Sequence, residues 1–116
     1  MKIPQVHQKY LTLLSEFTLL QKKKTQELKR AQHMKFLYYS GKAAPEEYEE
    51  KPFPYKVLKG EAWNWVNIDE DIQNIELKIE YYNTVLRTLE EILKQVHQLS
   101  YNIKNTIEWR KFAGGV

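Results

Sequence analysis

There is no cysteine among the 116 residues, which excludes a disulfide scaffold and thiol chemistry and fits a reducing, cytoplasmic setting. Glycine and proline are scarce, four of each, and every one sits at an edge: Pro4, then Gly41, Pro45, Pro52, Pro54 and Gly60, then Gly114 and Gly115. Two long stretches, 5–40 and 61–113, are therefore free of helix breakers. No apolar run approaches the length of a membrane span and no signal-peptide core opens the chain, so contact with a membrane is not expected. Histidine is scarce too, and His7, His33 and His97 lie far apart, without cysteine or paired carboxylates at metal-ligand spacing. There is no glycine-rich phosphate loop, no serine elbow and no candidate triad. The expectation is a protein with no catalytic residue, no metal and no cofactor, and not an enzyme.

What is present is periodic. From Ile68 the positions Ile72, Ile75, Ile79, Tyr82, Leu86, Leu89, Leu93, Val96, Ser100, Ile103, Ile107 and Arg110 follow at unbroken 4-3 spacing. That is a heptad seam, with Ile72, Ile79, Leu86 and Leu93 on one line and Ile75, Tyr82, Leu89 and Val96 on the other. Val85, Ile92 and Leu99 flank it, so the apolar face is wider than a two-stranded coiled coil needs. A helix over 68–110 spans roughly 65 Å at about 1.5 Å per residue, long for so small a chain to cover by itself. The eight seam residues from Ile72 to Val96 are accordingly read as oligomerisation contacts.

The remaining chain predicts a second helix and a connection. Pro4 suits a first helical turn, and Val6, Tyr10, Leu13, Phe17 and Leu20 repeat at helical spacing. Gly41, after Tyr38-Tyr39-Ser40, is the expected C-terminal cap. Between the helices, Lys51-Pro52-Phe53-Pro54 cannot be helical. Tyr55-Lys56-Val57-Leu58 and Trp63-Asn64-Trp65-Val66 flank Lys59-Gly60-Glu61-Ala62 with partial alternation, which allows a small β-hairpin. Such a hairpin, packed on the long helix, would bury at least one of Trp63 and Trp65, and a core or interface role outweighs base stacking for the pair. Asn67, with Glu70 three residues on, has the form of a capping box for the long helix. Asp69, Glu70 and Asp71 then suit the positive end of its dipole. The fold class is mainly α: a basic N-terminal helical region (1–41), a short linker or hairpin (42–67) and a long heptad helix (68–113) forming an oligomer, within a single compact protomer.

The charge is unevenly placed. Residues 1–42 carry nine Lys/Arg against two Glu, and residues 43–116 carry nine against thirteen Asp/Glu. An anionic partner for the first part and protein partners for the second follow. On a helix at 100° per residue, Lys22, Lys23, Lys29, Arg30 and His33 fall within an arc of about 120°, bordered by Phe36 and Leu37, while Lys24 and Lys35 lie on the other side. A solvated helix face is the bland reading. Against it, only Glu27 offsets the run and Phe36, Tyr38 and Tyr39 follow at once. Cations beside aromatic faces suit single-stranded nucleic acid, the cations neutralising phosphates and the rings stacking on bases. A structural coiled-coil adaptor is the alternative. A binder of acidic membranes or duplex DNA ranks third, because Leu28, Lys35 and Tyr39 interrupt the continuous basic face it needs.

Lys35-Phe36-Leu37-Tyr38-Tyr39-Ser40-Gly41-Lys42 resembles the basic–apolar–X–Tyr–Tyr–Ser–Gly–basic run of the UvsY recombination mediators of T-even-type bacteriophages. Val57-Leu58, the long amphipathic helix, and then Ile103-Lys104, Glu108, Arg110, Phe112 and Gly115 resemble the same family's C-terminal region in the same order. The resemblance covers about residues 29–115. It implies a small, helical, ring-forming homo-oligomer in the cytoplasm of the bacterial host, binding single-stranded DNA. It further implies that the protein helps a UvsX-like phage recombinase displace the phage single-strand-binding protein. Of the family's two basic residues ahead of the tyrosines, one matches Lys35 and the other falls on His33. The candidate DNA-contacting set is then Lys22, Lys23, Lys29, Arg30, His33, Lys35, Tyr38, Tyr39 and Lys42.

Overall fold

The computed structural model describes residues 3–58 and 60–114. The chain forms α1 (Ile3–Tyr39), α2 (Pro45–Glu50), α3 (Ala62–Ile68) and α4 (Glu70–Gly114), with no strand among the described residues. The fold is mainly α, as its breaker-free stretches require. Among the described residues no helix is long and apolar enough to cross a membrane. The helices group into two compact units, one of residues 1–20 and 82–116, the other of residues 21–81.

In the first unit the early turns of α1 shelter the seam of α4. Phe17 meets Tyr82 edge-on at 6.0 Å between ring centroids, Leu89 is buried, and Leu86, Leu93 and Val96 are half-buried. This stretch of the seam is thus largely used inside the protomer. Farther along α4 the apolar residues Leu99, Tyr101, Ile103, Ile107, Trp109 and Phe112 are all exposed, with Trp109 and Phe112 stacked on each other at 6.0 Å. Gly114 remains helical, so the helix runs one residue past the expected stop; Gly115 lies outside the described residues.

The second unit is built around the end of α1. Gly41 takes φ +78°, the Lys42 N–H reaches the Leu37 carbonyl at 2.9 Å and the Gly41 N–H reaches that of Tyr38 at 3.2 Å. This is a Schellman closure, in which a left-handed residue lets the last helical carbonyls find donors. The Tyr48 hydroxyl adds to it, donating to the Tyr38 carbonyl at 2.6 Å and accepting the Ala43 N–H at 3.3 Å. That tie holds α2 against the helix end. The surroundings of Gly41 leave room for a β-carbon, so Gly41→Ala should cost only the left-handed penalty, about 1 kcal/mol. Urea unfolding should show that loss, and a smaller one for Gly41→Asn.

The expected hairpin is replaced by helix α3. Gly60 turns the chain at φ +94°, the Glu61 N–H bonds back to the Leu58 carbonyl, and the Asn64 N–H bonds to that of Glu61. Ala62 and Val66 are buried at 5 % and 0 % exposure. The spacing of four decides the structure, and the alternation of the two tryptophans does not. Lys59, in the expected hairpin turn, lies outside the described residues.

The cap of α4 is also corrected. Asn67 lies within α3 and keeps helical backbone, whereas Asp69 takes the extended conformation a cap requires, φ −63° and ψ 132°. One Asp69 carboxylate oxygen accepts the Ile72 N–H at 3.2 Å, and its carbonyl accepts that of Gln73 at 3.0 Å. Ile72, fully buried, is thereby fixed at the first turn of α4.

Candidate nucleic-acid interface

The basic arc on α1 survives folding as an open face. Lys22, Lys23, Lys29, Arg30 and His33 are all exposed, and among the described residues none of the five is held in an ion pair. Lys24, outside the arc, is engaged differently: its ammonium sits 2.9 Å from the Glu27 carboxylate. Four basic side chains and an imidazole therefore remain solvated along three turns of one helix. Phosphates can replace that water without first breaking a protein contact, which keeps the electrostatic gain of neutralisation intact.

Lys35 is brought elsewhere. It points to the start of α4, 2.9 Å from an Asp71 carboxylate oxygen and 3.3 Å from one of Asp69. The same Asp69 oxygen accepts the Tyr39 hydroxyl at 2.5 Å. Burial works against the Lys35 charge, yet the Asp71 and Asp69 carboxylates outweigh it and raise its pKa above the ordinary lysine value. Burial likewise works against ionised Asp69, and there the Tyr39 hydroxyl, the Ile72 N–H and Lys35 prevail and lower its pKa. Tyr39 is pushed well above the ordinary phenol range, first by burial and then by the hydrogen bond to Asp69. Lys35 and Tyr39 thus fasten α1 to α4.

The aromatic side chains form a connected cluster. Tyr38 stacks on Tyr48 at 5.2 Å and donates its hydroxyl to the Lys51 carbonyl at 2.6 Å. Tyr39 lies against Phe53 and Trp65 at 5.0 and 6.0 Å, and Trp65 stacks on Tyr55 at 5.4 Å. Both motif tyrosines are half-buried, packing the helix end. Lys42, just past the Schellman turn, is exposed. Trp63 stands apart from this cluster. It stacks on Phe36 at 4.7 Å with planes 27° apart and remains 46 % exposed.

Folding also sets His7 and His97 along one open cleft of about 240 Å³ in the first unit, with Pro4, Val96 and Ser100. Among the described residues no group of three or more His, Cys, Asp or Glu could hold a metal ion. The residues that sequence reasoning missed are Asp69 as cap and anchor, and Tyr48 as the clasp on the end of α1. In the sequence Asp69 is only one of three acids suiting the helix dipole, beside the Asn67 cap, and nothing there announces Tyr48.

The family model for "Recombination, repair and ssDNA binding protein UvsY" matches residues 1–116, the whole chain, including the turns of α1 ahead of Lys29. No curated protein and no solved structure gives a match of significance. The chain belongs to the UvsY family.

Proposed function

We propose, from membership of a family of recombination, repair and single-stranded-DNA-binding proteins, that this chain is a non-enzymatic recombination mediator. It captures single-stranded DNA along Lys22, Lys23, Lys29, Arg30 and His33, with Lys35, Tyr38, Tyr39 and Lys42 ordering the end of that face. It assists loading of a phage recombinase onto DNA covered by single-strand-binding protein, in the host cytoplasm. The observation that carries the reading is the open cationic arc of α1, exposed over all five positions and distinct from the paired Lys24 and Lys35. Assembly runs through α4. Of the eight seam residues, Ile72 and Leu89 are buried within the protomer, while the half-buried Ile75, Ile79, Tyr82, Leu86, Leu93 and Val96 leave edges that continue into the exposed Leu99, Ile103, Ile107 and Phe112, and ring closure repeats the arc in each subunit. Repetition turns weak single contacts into avid binding.

The test is a loading assay. Recombinase is added to oligonucleotide already coated with single-strand-binding protein, with and without the chain, and recombinase bound to DNA is measured alongside light scattering of the chain. Faster loading by an oligomer is the expected outcome. An oligomer that binds no DNA at modest salt and leaves loading unchanged would favour the structural adaptor.

A further inference from the structure

The DNA-binding reading leaves open what meets the bases. Phe36 follows Lys29 by seven residues and His33 by three, so it is their neighbour on the same face of α1. The arc therefore ends on an aromatic ring. Trp63 of α3 lies flat on that ring, 4.7 Å away, and nearly half of it is open to solvent. Phe36 also lines an open cleft of about 350 Å³, together with Ser40, Lys42, Val57, Leu58, Gly60 and Ala62, the residue before Trp63. Its lining is mainly apolar and includes the Ser40 and exposed Lys42 side chains.

We infer that Phe36, Trp63 and this cleft form a nucleobase site that ends the cationic arc. It takes an unpaired base of single-stranded DNA whose flanking phosphates lie on Lys29 and Lys42. Three features carry this. An indole held flat by a ring beneath it loses little freedom when a base stacks on its outer face. Trp63 is 46 % exposed while its helix neighbours Ala62 and Val66 are buried, so much of the indole surface stays open to a ligand. Its position at the end of the arc aligns ring and cations with the alternation of base and phosphate along a strand. Tyr38 and Tyr39, by contrast, already spend ring faces on Tyr48, Phe53 and Trp65. The site rests on the reading of the arc as a DNA surface, and the experiment separates the two.

Full-length protein with Trp65→Phe and Trp109→Phe keeps Trp63 as the only indole. A thymidine oligonucleotide should quench its fluorescence, and an abasic oligonucleotide of equal length should not. Trp63→Ala should lower affinity for the thymidine strand roughly 5- to 150-fold, the range for one stacked base. Affinity for the abasic strand and the salt dependence should stay as in the parent, and Trp63→Phe should restore most of the loss. Equal losses on both strands, or none on either, would overturn the base site. Salt-independent binding of the abasic strand by the parent would instead overturn the arc, and the difference between strands would still report on Trp63.

Discussion

Asp69→Ala is expected to destabilise the protein by about 2–4 kcal/mol. Loss of the helix cap accounts for about 1 kcal/mol. The rest comes from leaving the half-buried Tyr39 hydroxyl without its acceptor and Lys35 with Asp71 alone. Asp69 is 8 % exposed, so water replaces little of what is removed. Asp69→Asn separates the contributions, since asparagine caps as well as aspartate and still accepts from Tyr39. It should recover at least half of the loss, the remainder measuring the charge. If urea unfolding found Asp69→Ala within about 0.5 kcal/mol of the parent, the junction of α1 and α4 would not depend on this carboxylate.

The same junction sets a pH dependence at both ends. Asp69 titrates below its ordinary value of 3.8, so its contribution is complete above that value and is lost as pH falls through the lowered one. Lys35 and Tyr39 titrate above their ordinary 10.5 and 10.0. Their contributions are complete below those values and are lost as pH rises toward the raised ones. Stability should therefore hold level between about pH 5 and pH 9 and fall on both sides. Asp69→Asn should flatten the acid limb and weaken the alkaline one, because it removes the carboxylate that stabilises protonated Tyr39 and Lys35.

The residues reveal why part of this was legible beforehand and part was not. α1 and α4 were visible because breakers sit only at their ends, and Gly41 because a left-handed cap calls for glycine. α3 was not: over five residues, alternation of Trp63 with Trp65 and four-residue spacing of Ala62 with Val66 are both present, and only burial arbitrates. Asn67 was the expected cap, and Asp69, two residues on, takes its place. The choice fell to Asp69 because Lys35 and Tyr39, more than thirty and exactly thirty residues earlier, require a carboxylate there. Such long-range ties leave no local pattern. They also explain why counting charges could not show that Lys35 pairs with carboxylates at the start of α4, while Lys22, Lys23, Lys29, Arg30 and His33 stay exposed.

That arc supplies the largest expected change in binding. With Lys22, Lys23, Lys29 and Arg30 all replaced by Ala, log affinity for single-stranded DNA should depend less steeply on log salt, by up to about 0.7 for each of four phosphate contacts. Between 1 M and 0.1 M salt each contact contributes about 0.7 log units, so the variant should bind up to roughly 600-fold more weakly at 0.1 M. Folding should be unaffected, because among the described residues these four side chains hold no ion pair and all are exposed. Alanine is moreover the better helix former. Lys24→Ala removes a cation already neutralised by Glu27 and should change the slope less than Lys23→Ala, its neighbour in the open arc. Salt titration with a fluorescent oligonucleotide measures each slope, and light scattering checks that the oligomer is intact. An intact quadruple variant with the parent's slope would move DNA binding off α1 altogether.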